Sequence, residues 1–148
     1  MKTPGKKLPY SLVAEKRFQR DVRLEEDTIC YVPSKPLLLL YKIKAARDRA
    51  YDLKTRGTII DTAKMEWLRG KLTKDRADML AILDPNPRRF IAEELFDADV
   101  FRDLVRRLEL EFTLTTITEL SRYRDSIRLY DPTLEEKQIK EWIKTVTG

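Results

Sequence analysis

Residues 35–57, KPLLLLYKIKAARDRAYDLKTRG, constrain the fold more than any other stretch, because they read as one amphipathic helix of about six turns. Ser34 is a candidate N-cap. Pro36 is tolerated in the first turn, where its missing N–H has no intrahelical partner to lose, and Gly57 suits the position just past the end. Leu39, Ile43, Ala46, Ala50 and Leu53 form an apolar stripe, with the two alanines small enough to admit another helix closely. The longest apolar run, Pro36 to Tyr41, is about a third of a membrane span, so these leucines read as core and not as an anchor. Lys35, Lys42, Arg49 and Arg56 recur every seven residues as a basic ridge beside the stripe. What the ridge faces decides the functional reading.

The rest of the chain continues in the same helical style. Residues 1–9 read as a flexible basic tail and 10–148 as a single helical domain. Ser11 is placed to cap a helix running to about Leu24, with Ala14, Phe18 and Val22 on one face. The β-branched segment 27–33 ends in proline and reads as short and extended. Asp61 or Thr62 starts a helix expected to break at Gly70, Thr73 caps another that ends at the DPNP turn (84–87), and Asn86-Pro87 opens one over Arg88 to Phe96. From Asp99 to Tyr130 there is no glycine, proline or asparagine, which predicts one long central helix. Phe101, Leu104, Val105, Leu108 and Phe112 share its face, later joined by Leu120, Tyr123 and Ile127. The strict alternation of LELEFTLT supports a short strand at 108–115 as the alternative, making the class α+β. A capping box, Thr133 to Glu136, opens the last helix through Ile139, Trp142 and Ile143. The expected class is therefore all-α, a compact multi-helix domain with one long central helix in the C-terminal half.

Charge is uneven along this chain. Residues 1–56 carry 14 Lys/Arg against seven Asp/Glu, whereas the whole protein has a net charge of only +5. Such asymmetry points to an anionic partner at the N-terminal third. The expected nucleic-acid-binding set is Lys6, Lys7, Lys16, Arg17, Arg20, Arg23, Lys35, Lys42, Arg49 and Arg56. Tyr41 and Tyr51 are available for stacking, although aromatics at helical spacing are more often core or rim. No DNA-reading motif stands out, so sequence-specific recognition is not expected.

Catalytic patterns are sparse. The chain has no histidine and one cysteine, Cys30, which removes His-dependent triads, the usual zinc sites and internal disulfides. Its four glycines never cluster into a phosphate-binding loop. Asp75/Asp78 and Glu94/Asp97 form two i, i+3 carboxylate pairs on successive expected helices, loosely similar to the Mg²⁺ sites of all-α nucleotide pyrophosphatases, which use glutamates in the first pair. Acids in a first turn also arise simply from the helix dipole. Arg88 and Arg89 sit where that dipole disfavours cations, and either await an anion or pair with acids such as Glu93.

The resulting expectation is a non-enzymatic nucleic-acid-associated helical protein, an accessory subunit of a larger nucleoprotein or packaging complex, with no cofactor and no metal. The alternative is a helical protein–protein adaptor or inhibitor that meets an acidic protein, and a Mg²⁺-dependent hydrolase ranks third. The opening residues lack the apolar segment of a secretory signal, and the single cysteine suits a reducing interior, so a cytoplasmic setting without a membrane partner is expected. Leu110, Leu114 and Ile117, opposite the first face of the long helix, are the expected interface of a homo-oligomer.

Overall fold

The computed structural model describes residues 12, 14–25, 28–56, 61–85, 96–110 and 112–148. An antiparallel ribbon of β1 (Gln19–Glu25) and β2 (Thr28–Pro33) precedes the helices α1 (Lys35–Arg56), α2 (Thr62–Leu83), α3 (Ala98–Arg107), α4 (Phe112–Thr118), α5 (Arg124–Tyr130) and α6 (Glu136–Thr147). The mostly helical class is as the sequence predicts. The basic tail and residues 88–95 of the helix expected over 88–96, with Arg88, Arg89, Glu93 and Glu94, lie outside the described residues, and Phe96 is not helical.

The N-terminal helix expected over 11–24 is instead a 3-10 turn, Lys16–Phe18, leading into β1. Pairing decides this: Gln19 lies opposite Pro33, Asp21 opposite Tyr31 and Val22 opposite Cys30, with an irregularity between Arg23 and Glu25. A ladder with the β-branched segment outweighs the local helical pattern, which amounts to a weak preference. Phe18 is fully buried, and its carbonyl accepts the Ser34 N–H at 2.7 Å, which fixes the ribbon to the start of α1. The Ser34 hydroxyl itself is buried without a hydrogen-bond partner, so it does not cap α1 as expected; the backbone continues the turn through Leu38 N–H to the Ser34 carbonyl at 2.9 Å.

α1 and α2 form an antiparallel hairpin, each about 33 Å long at 1.5 Å per residue. Contrary to the expected break, α2 runs straight through Gly70, which lies on an exposed face with nothing within 4 Å of an added Cβ. A lone glycine lowers helix propensity by about 1 kcal/mol, which 22 residues of continuous packing and capping absorb. Asp61 caps this helix by accepting the Lys64 N–H at 2.7 Å. Thr73 is interior, and its carbonyl accepts the Ser126 hydroxyl at 2.9 Å, fastening α5 to α2.

The stretch from Asp99 to Tyr130 is helical in segments and not continuous. α3 ends with Glu109 in the left-handed region (φ 54°), Glu109 N–H on the Arg106 carbonyl at 3.2 Å and Leu110 N–H on the Val105 carbonyl at 2.8 Å. This is a Schellman termination with glutamate where glycine is usual. It also answers the alternation at 108–115: Leu108 and Leu110 turn toward the core across the stop, and α4 starts at Phe112 without forming a strand. The threonine-rich α4 is short because β-branched residues and back-bonding hydroxyls, such as Thr118 Oγ1 to the Thr115 carbonyl at 2.8 Å, compete with helix continuation. α6 begins two residues later than expected. Gln138 accepts the Glu135 N–H at 2.9 Å, while the Thr133 hydroxyl is engaged with Asp131 at 2.7 Å.

One core joins these elements, built from Phe18, Leu37, Leu39, Leu40 and Ile43 with Met79, Leu80, Phe101, Leu104, Ile117, Leu120 and Ile139. Leu110 and Ile117 are buried in it and Leu114 packs against it. The face assigned to self-association therefore points inward, because folding the 99–130 stretch back on itself brings both of its apolar sides to the core. Among the described residues no helix is long and apolar enough to cross a membrane.

Candidate nucleic-acid interface

Lys42 and Arg49 of the basic ridge of α1 face α2. Lys42 Nζ lies 2.8 Å from Asp78 Oδ2 and 3.8 Å from Asp75 Oδ1, and the Arg49 guanidinium donates to the other oxygen of Asp75. Lys74 reaches Asp78 at 3.1 Å from within α2. The carboxylate pair that resembles a metal site is thus the counter-charge of the ridge, and Asp75 is buried beneath it. Among the described residues no three His, Cys, Asp or Glu side chains are grouped to hold a metal ion. Asp97 serves as the N-cap of α3, accepting the Val100 N–H at 3.1 Å.

Other members of the expected binding set separate. Lys35 is buried at 2% exposure, and Arg17 pairs with Asp103 of α3 at 3.0 Å while its guanidinium lies 4.9 Å from the Phe18 ring. Arg107 closes the same corner on Glu15 at 3.1 Å, a hydrogen bond that raises its already high pKa. Lys16 is exposed and Arg20 half-buried on the ribbon side of the molecule. Lys6 and Lys7, and the side chains of Arg23 and Arg56, are outside the described residues. The described members of the set do not form one surface.

A different set comes together on the hairpin. Lys64, Trp67, Lys71 and Lys74 stand at i, i+3, i+7 and i+10 on α2, which places them on one helical face, and Asp75 and Asp78 continue that face toward Lys42 and Arg49 of α1. Trp67 is 51% exposed, unusual for so large an apolar ring. Lys64 Nζ sits 4.3 Å and Lys71 Nζ 5.6 Å from its centroid, so two ammoniums flank the indole. Five cations therefore share this face with two carboxylates, and between residues 62 and 71 only Leu68 is buried. The hairpin end extends past the core carrying a stacking ring and unneutralised charge.

Sequence reading missed Lys64, Trp67, Lys71 and Lys74. Their helical spacing is present in the sequence, but a break at Gly70 cuts the stripe in two. Tyr41 packs against the core, and Tyr51 lines a cleft on the α1–α2 hairpin. Comparison with protein-family models, curated proteins and solved structures finds no match for the chain.

Proposed function

We propose that this is a non-enzymatic, nucleic-acid-associated helical protein that binds DNA or RNA without sequence preference, as an accessory subunit of a larger nucleoprotein or packaging complex in the cytoplasm. The observation that carries the reading is the exposed Trp67 ring flanked by Lys64 and Lys71 on the α1–α2 hairpin face. A flat ring stacks on any base and lysines meet any phosphate, so such a surface binds polyanions without reading sequence. Titration of fluorescent single-stranded and duplex oligonucleotides across about 50–200 mM salt tests it. Affinity should fall linearly on log–log axes and drop in Trp67→Ala. Salt-independent or absent binding overturns it.

One observation favours the adaptor reading. Ile29 and Tyr31, two residues apart on β2, are 51% and 65% exposed and form an apolar pair on the ribbon. Tight binding of one acidic protein, lost in Tyr31→Ala and unaccompanied by nucleic-acid affinity, would select this second function.

A further inference from the structure

Trp67 stands in a clearing on α2 that packing does not require. Ala63 and Gly70, at i−4 and i+3, neighbour the indole on its own helical face, and both are exposed. A Cβ added at Gly70 would meet nothing within 4 Å, so no close approach demands a glycine there. The ring is 51% exposed and is bordered on this face by Lys64 and Lys71, whose ammoniums lie 4.3 and 5.6 Å from its centroid. Neither ammonium takes part in a salt bridge among the described residues, whereas Lys74 is held by Asp78 at 3.1 Å. Residues 62–74 carry four Lys/Arg and one acid, Glu66, which lies about 100° round the helix from Trp67. Asp61, just before them, is engaged as the N-cap.

We infer that this face selects single-stranded nucleic acid over duplex, with an unpaired base lying on the Trp67 ring between phosphates held by Lys64 and Lys71. The inference rests on the nucleic-acid reading of the same face and narrows its ligand. Lys64 and Lys71 stand about 10 Å apart along the axis with the ring between them, at 1.5 Å per residue. Both are exposed on flexible four-carbon stems, so each can leave the ring for a phosphate as the base arrives. The flat side of a base is open in a single strand. In a duplex it is covered by the neighbouring pairs, and the grooves present edges and phosphates. Reaching it there requires unstacking a step, which lowers affinity. Two lysines supply few phosphate contacts, so the ring decides between the two forms.

Fluorescence anisotropy with three probes of about 12 nucleotides, within the usual site sizes, is the test. The probes are oligothymidylate, the same strand paired with oligodeoxyadenylate, and a strand of abasic sugar-phosphates that keeps the charge and lacks the bases. Oligothymidylate should bind about tenfold more tightly than either of the others. Trp67→Ala should bring it down to the affinity of the abasic strand, and Trp67→Phe, which keeps a ring, should restore part of the difference. The chain has two tryptophans, so in Trp142→Phe the remaining indole is Trp67. Oligothymidylate should quench its emission and the abasic strand should not. If Trp142→Phe fails to fold, the affinity ratios of the unaltered chain and of Trp67→Ala decide alone. A duplex or abasic strand that binds as tightly as oligothymidylate, or a ratio unchanged in Trp67→Ala, overturns the inference and leaves the polyanion reading standing. Absence of binding by all three probes overturns both.

Discussion

Lys42 and Asp78 meet at 2.8 Å across the α1–α2 interface, with Asp75 3.8 Å away and bonded in turn to Arg49. Asp75 keeps 6% of its side chain exposed and Asp78 keeps 28%, so the two carboxylates should differ in cost. Removing one partner of a buried pair strands the other charge. Asp75→Ala should destabilise by about 3 kcal/mol and Asp78→Ala by about 1 kcal/mol or less. Chemical denaturation of both variants checks the order, and equal losses would show that burial does not set the energy.

Gly70 should be replaceable. It lies inside α2 with open space around an added Cβ. Gly70→Ala should stabilise by about 0.5–1 kcal/mol through higher helix propensity and a less flexible unfolded chain. In a protein of this size that is a rise of about 1–4 °C in Tm. A lower Tm would mean that the helix is interrupted at this position.

Glu109 occupies a left-handed position that suits glycine. Glu109→Gly and Glu109→Ala delete the same side-chain interactions, so their difference isolates the backbone. The glycine variant should be more stable than the alanine variant by about 1 kcal/mol. Equal stability in urea would remove the left-handed termination of α3.

The hairpin face should respond to charge and ring separately. Lys64→Gln with Lys71→Gln should lower the log–log salt slope by about 0.7 per lost contact on single strands, and Trp67→Ala should cost about 1–3 kcal/mol of affinity at every salt concentration. Because Lys64, Trp67 and Lys71 are exposed, the melting temperature of the free protein should change little. Unaltered anisotropy titrations in all three substitutions would move nucleic-acid binding away from this face.

Local signals were enough to define the helical class, the α1 boundaries, the extended segment at 28–33 and the apolar residues of α6, because periodicity and breakers act over a turn or two. The stop after α3 was not legible, since glutamate takes a backbone conformation whose usual marker is glycine. The helical pattern at 19–25 was legible and overruled, because a ladder partner is a non-local quantity. The same division runs through the candidate sites. Sequence alone placed Lys35, Lys42, Arg49 and Arg56 on one ridge and Asp75 with Asp78 on one helix face. Only packing α1 against α2 made Lys42 and Arg49 partners of those acids and left Trp67 with its lysines outward. Charge pairing depends on distances of a few ångströms between residues some thirty apart in the chain, and that separation is set by the tertiary fold.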